Sequence, residues 1–228
     1  MWVLTSLQHS DLINTGTPYG VPFFMTTPTT IDLDTELSAV NSILGSIGQA
    51  PITSLDFTNP EIEFIYNLLK ESNVEVQSEG WVYNREEHYE FTPDNNKEIA
   101  IPANILRMDV HEEEFLRTTD VVKRDGKLYN KLEHTFEFDN KIAMNVVWLF
   151  PFVDLPQVFK RYIVQKASVR AATQLVSNPV LVPLLQQQEA YGRAICMEYE
   201  CNQGDFNYLG LGHDQSYTPY QPFRALRR

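Results

Sequence analysis

Apolar residues recur at two different periods along the chain, and the change of period divides it. From 35 to 47, Leu37, Val40, Ile43, Leu44 and Ile47 fall at helical spacing. Asp34 or Thr35 can cap this helix, and Gly48 with Pro51 stops it. Asn59-Pro60 starts a second helix, with Asn59 suited to the cap and Pro60 to the first helical position. Ile62, Ile65, Leu69 and Val76 mark its buried face, and Gly80 ends it.

From Trp81 to Phe150 the period is nearer two, and β-branched and aromatic residues are frequent. The pattern predicts strands at Trp81–Arg85, His88–Thr92, Glu98–Ile101, Ile105–Val110, Thr119–Lys123, Lys127–Asn130, Thr135–Phe138 and Met144–Phe150. Asp125-Gly126, between Val122 and Leu128, marks a tight hairpin turn that needs positive φ.

The helical period returns at Leu155-Pro156. Phe159, Ile163, Ala167, Ala171 and Leu175 recur every four residues as a narrow apolar stripe, whose small alanines allow close approach of another helix. Asn178-Pro179 breaks this third helix and caps a fourth. The fourth runs to about Asn202, lined by Leu181, Leu184, Leu185, Ile195 and Tyr199, with Pro183 tolerated in its first turn. The expected fold class is therefore α+β: an antiparallel helical bundle, residues 34–80 plus 151–203, with a β-rich module at 81–150 inserted between its helix pairs.

The two ends lack periodicity. Residues 1–33 hold Gly16, Pro18, Gly20, Pro22 and Pro28, with apolar Phe23, Phe24 and Met25 among them, and read either as an extended arm lying on another surface, such as a neighbouring copy, or as a floppy extension. Residues 204–228 interleave Tyr208, Tyr217, Tyr220 and Phe223 with glycine and proline and end in Arg224-Ala225-Leu226-Arg227-Arg228. Aromatics and arginine are the residue types that anchor interfaces, so this segment reads as an arm that grips a partner.

Charge narrows the function classes. The 228 residues carry 18 Lys and Arg against 30 Asp and Glu, a formal net charge of -12. Such a surface disfavours a reader of duplex phosphate or an anionic membrane. Residues 51–150 hold 20 acidic and 10 basic side chains, whereas 151–228 hold 6 and 8. That split suggests surfaces meeting different partners. The first basic residue is Lys70, so the N-terminus lacks a signal peptide's basic start, and no apolar run approaches the ~20 residues of a spanning helix. The two cysteines, Cys196 and Cys201, are too few for a disulfide scaffold and are expected as reduced thiols.

Candidate chemistry is sparse. His9, His88, His111, His134 and His213 form no metal-ligand spacing, and His111-Glu112-Glu113-Glu114 reads as a solvated loop sooner than a cation site. A carboxylate pair among Glu86, Glu87, Asp109 and Glu133 could serve a polysaccharide hydrolase, but nothing singles one out. Lys160, Arg161, Lys166 and Arg170 share part of one helix and read as a solvated face, or as one that salt-bridges toward an acidic neighbour, sooner than as a nucleic-acid site.

Several segments together resemble the tail tubular protein A family of podovirus-like phages. They are Glu36-Leu37-Ser38-Ala39-Val40-Asn41, Ile43-Leu44, Ser46-Ile47-Gly48 and Pro51-Ile52 in the first part. Gly80-Trp81, Asn84 and Glu86-Glu87 follow. Leu155-Pro156, Phe159, Tyr162-Ile163-Val164 and Lys166-Ala167-Ser168 come next. Arg193, Cys196-Met197-Glu198-Tyr199-Glu200 and Asn207-Tyr208-Leu209 complete the set. The first 33 residues are longer than this family's pattern, and the β module beyond residue 87 departs from it.

The resemblance implies a structural virion protein with no cofactor and no catalytic centre: a head-to-tail adaptor in the neck, assembled in the host cytoplasm. Twelve copies would form a ring, a dodecamer, under the portal protein and present their other face to the six-fold nozzle, tail tubular protein B. DNA would pass through the channel at ejection without specific binding. On that reading Tyr208, Leu209, Tyr217, Tyr220, Phe223, Arg224, Leu226 and Arg227 grip the portal. Phe23, Phe24, Phe159, Ile163, Ala167 and Ala171 would form contacts between subunits, which in a closed ring join two different faces.

Overall fold

The computed structural model describes residues 35–110 and 119–204, all within one compact unit. Helix α1 spans Glu36–Ser46, and its Thr35 cap accepts a hydrogen bond from the Ser38 amide at 3.3 Å. Gly48, at φ 80°, turns the chain out of it. The side chain of Asn41 then pins the following loop, accepting from the Ile52 amide at 2.8 Å and donating to its carbonyl at 2.9 Å. Helix α2 spans Pro60–Ser78. Asn59 accepts from the Glu61 amide at 3.0 Å, and the first-turn acids Glu61 and Glu63 complement the helix dipole.

Five strands follow: β1 Arg85–Phe91, β2 Ile105–Val110, β3 Val121–Arg124, β4 Lys127–Asn130 and β5 Ile142–Trp148. Three form an antiparallel sheet in the order β1-β5-β2, and β3 pairs with β4 as a hairpin. The central strand, β5, buries Ile142, Ala143, Met144, Val146 and Val147, so it is apolar on both faces. Asp125 and Gly126 take φ of 50° and 74°, the paired left-handed conformations of a two-residue hairpin turn. A bulge in β1 between Glu86 and Tyr89 places His88 at φ 62°, its amide turned to Asn145 Oδ1.

Three expected strands take other forms. Trp81–Arg85 is a tight turn, with the amides of Asn84 and Arg85 both bonding the Trp81 carbonyl. Glu98–Ile101 and Thr135–Phe138 form isolated bridges in place of continuous ladders, Glu98 to Glu137, Ala100 to Lys127 and Thr135 to Asn130. They lie between turns too close together for a continuous ladder to form.

A short 3-10 turn at Phe152–Asp154 leads to α3, Gln157–Ala171, and α4, Leu181–Gly204. One wide π turn, Ala172–Val176, and Ser177 at φ 50° end α3. Asn178 caps α4 by accepting from the amides of Val180 and Leu181. Side-chain pairs give the helix directions. Lys166 meets Glu75 while Arg170, one turn on, also reaches back to Glu71, so α2 and α3 run antiparallel. Phe159 meets Tyr199 edge to face and Tyr162 accepts from Arg193, so α3 and α4 do too.

Two apolar clusters result. One holds Val40, Ile43, Ile65, Leu69, Val76, Trp81, Phe159 and Ile163 among the helices. The other holds Phe91, Ile99, Leu128, Phe138, Met144 and Val146 in the strands.

Candidate assembly surfaces and the joint between helices and sheet

The chain passes from helices to strands at 79–84 and returns at 148–151, and two buried amide side chains staple these crossings. Gln77 has no solvent exposure. Its Oε1 accepts from the Phe150 amide at 2.8 Å, and its Nε2 donates to the Phe150 carbonyl at 2.9 Å and to Asn73 Oδ1 at 2.8 Å. Asn84 is equally enclosed. Its Oδ1 accepts from the Trp81 amide at 2.9 Å, and its Nδ2 donates to the carbonyls of Gln77 at 2.9 Å and Trp148 at 2.8 Å. Asn84 thus bonds backbone groups on both sides of the joint, and Gln77 ties α2 to the returning strand at Phe150; burial makes those bonds costly to lose.

Helix α4 closes the joint from outside. Both Glu200 carboxylate oxygens accept from the Val82 amide, at 3.0 and 2.9 Å. Arg193 forks onto Glu79 with two bonds of 2.9 Å and donates to the Tyr162 hydroxyl at 3.1 Å. Below lies an aromatic cluster in which Phe159 meets Tyr83, Trp81 and Tyr199 at ring-centroid distances of 4.5, 4.9 and 5.7 Å. Burial pushes the Cys196 thiol beside it up to about 12. Gly80 takes φ 79°, which favours glycine, and a Cβ there would also crowd Val147 Cγ2 at 3.1 Å and the end of the Arg107 side chain at 2.9 Å.

Gly80, Trp81, Asn84, Phe159, Tyr162, Arg193, Cys196, Tyr199 and Glu200, scattered over 121 residues of sequence, therefore meet at one place. Their pairing was not readable from periodicity. Gln77 was missed altogether, a glutamine on a helix giving no signal of burial.

The expected subunit contacts fare differently. Phe159, Ile163, Ala167 and Ala171 all have zero exposure and pack in the chain's own helical cluster. The small-residue stripe admits a neighbouring helix, as its spacing suggested, but that helix belongs to the same chain. A second subunit has no access to it, which corrects the expectation. Lys166 and Arg170 pair with Glu75 of α2 within the chain. Phe23 and Phe24 lie outside the described residues. So do Tyr208, Leu209, Tyr217, Tyr220, Phe223, Arg224, Leu226, Arg227 and the His111–Glu114 run.

The four carboxylates weighed for hydrolysis are exposed and tied to separate local partners. Glu86 accepts from the Trp148 indole, Glu87 pairs with Arg85, Asp109 accepts from the Val110 amide and Glu133 from Asn130.

The sequence profile of the tail tubular proteins matches residues 37–206, opening in α1 and closing just past α4. The chain belongs to the tail tubular protein family. A tail tubular protein A of Klebsiella phage KP34 is 24% identical over 170 residues, covering 74% of this chain and 88% of the relative. As a tail tubular protein the chain is a structural component of the phage virion tail and not an enzyme. The polysaccharide-hydrolase alternative falls with that membership. The residues gathered at the joint accordingly hold a shape: they fix how the strands project from the helices.

Proposed function

We propose that the chain is the adaptor of a short-tailed phage, forming a ring of twelve copies between the portal protein and the nozzle, tail tubular protein B, around the channel through which DNA leaves. The likeness to a tail tubular protein A over 88% of that relative's length carries this reading. The stapled joint supports it. A connector must transmit position from one partner to another, and a helical part fixed to a β part by buried, fully satisfied amides can hold two faces at a set angle. The net charge of -12 suits a channel wall that does not retain phosphate, since counterion-release binding would hold the DNA in place.

In this arrangement the β part faces the nozzle, and Tyr208, Leu209, Tyr217, Tyr220, Phe223, Arg224, Leu226 and Arg227 grip the portal. Gold-labelled antibody against the chain, viewed by electron microscopy on intact virions, is expected at the neck; label on the distal fibres would overturn the reading. Deletion of 205–228 is expected to leave the circular dichroism spectrum unchanged and abolish capture by portal protein. Retained capture would remove the arm's role.

A further inference from the structure

Helix α4 is the least enclosed of the four α-helices among the described residues. Of its 24 residues, Leu185, Gly192 and Cys196 are buried. Six of the eleven large apolar side chains that stand exposed among the described residues lie between 175 and 197: Leu175, Val176, Val180, Leu184, Tyr191 and Met197. Tyr191 is 68% exposed and Val180 70%. Beside this edge runs a groove of about 550 Å³ between α1 and α4, floored by α3. Ser38, Ser42 and Ser46 of α1 form one wall, and Gln188, Gly192 and Ile195 of α4 the other.

The electrostatics of this face are unlike the rest. No charged residue occurs in 37–55 or in 171–188; Glu189 and Arg193 fall within the α4 wall of the groove but do not line it. The ionic side chains lining it are Lys160 and Arg161, and neither has a carboxylate partner among the described residues. Of the twelve other cations among the described residues, eight are ion-paired within the chain, Arg85, Lys97, Lys127, Lys131, Lys141, Lys166, Arg170 and Arg193, and Lys70, Arg107, Lys123 and Arg124 do not line the groove. The face therefore joins exposed apolar side chains of the α4 edge to a groove lined by uncharged polar and apolar residues, with two positive charges that have no carboxylate partner, on a molecule that carries twelve surplus negative ones.

We propose that this groove and the exposed edge of α4 seat a second copy of the chain, whose surplus carboxylates meet Lys160 and Arg161. The proposal rests on the ring reading above and names the face through which the ring closes. Two copies of a -12 chain repel unless they meet where one is uncharged or positive, and this face meets that condition. A heterologous ring contact needs a different surface on the other copy, which the acid-rich residues 51–150 can supply. Nucleic acid fits the face poorly: two cations give little counterion release, and Leu184 and Tyr191 gain nothing against phosphate.

The test uses virions carrying a photo-cross-linking phenylalanine analogue at Gln188, which lines the groove and is exposed. The expected product is a covalent pair of two copies of this chain, and peptide mapping should place the second attachment outside α3 and α4. A neck ring in which the analogue couples to another tail protein, to DNA or to nothing overturns this inference alone. Virions without a neck ring of the chain overturn the adaptor reading beneath it. In parallel, the double change Lys160→Glu with Arg161→Glu should cut incorporation into particles at least tenfold while the circular dichroism spectrum holds. Unchanged incorporation would refute the charge argument.

Discussion

Replacing Asn84 with Ala tests whether the joint is as rigid as its hydrogen bonds imply. The side chain is 1% exposed and serves the Trp81 amide and the carbonyls of Gln77 and Trp148. The substitution removes three bonds; it strips the Trp81 amide and the Trp148 carbonyl of their Asn84 partner, while the Gln77 carbonyl keeps the Gly80 amide at 3.2 Å. Each buried polar group left without a partner costs about 1–3 kcal/mol. A carbonyl tolerates loss better than an amide, and a cavity of that size can admit a water to it. The expected loss is therefore about 2–4 kcal/mol, large for a single substitution. In a domain of this size that corresponds to a fall in Tm of roughly 4–16 °C. Urea denaturation followed by tryptophan fluorescence suits the measurement, because Trp81 and Trp148 both flank Asn84. A loss below about 1 kcal/mol would show that the crossings are held by packing alone and would refute the argument that the amides fix the joint.

Further expectations concern neighbouring groups. Gly80→Ala should cost about 1–3 kcal/mol, because the left-handed backbone and the close approach of Arg107 and Val147 both oppose a Cβ; an unchanged urea midpoint would contradict this. Lys166, with Arg170, holds the Glu75 carboxyl below its ordinary value. The stability so contributed is present above that ordinary value and is lost as pH falls through the lowered one. Lys166→Met should therefore flatten the acid limb of a stability-pH curve, and an identical slope would exclude the pair as its source. In the native protein Cys201 should react readily with a thiol reagent, while Cys196, buried and pushed up to about 12, should react only on unfolding. Two fast thiols would argue against the packing of α4 on α3.

What could be read from the residues in order was local. Asn59-Pro60, Thr35 and Asn178 begin helices because a cap needs only the amides two or three residues on. Asp125-Gly126 makes the hairpin because both residues tolerate positive φ. The family likeness, too, was present in the sequence. Trp81–Arg85 was misread because alternating Trp81 and Tyr83 look like one face of a strand, whereas both side chains pack on Phe159 from a turn. The stripe of Phe159, Ile163, Ala167 and Ala171 announced a close helix partner, but periodicity cannot say whose helix arrives. The structure decided that it is the chain's own, because α1, α2 and α4 all converge on α3 and leave those side chains no exposure. The joint depended on tertiary structure entirely: Gln77 and Asn84 find partners 73 and 64 residues away, and a buried amide differs from a solvated one only by what the rest of the fold places around it.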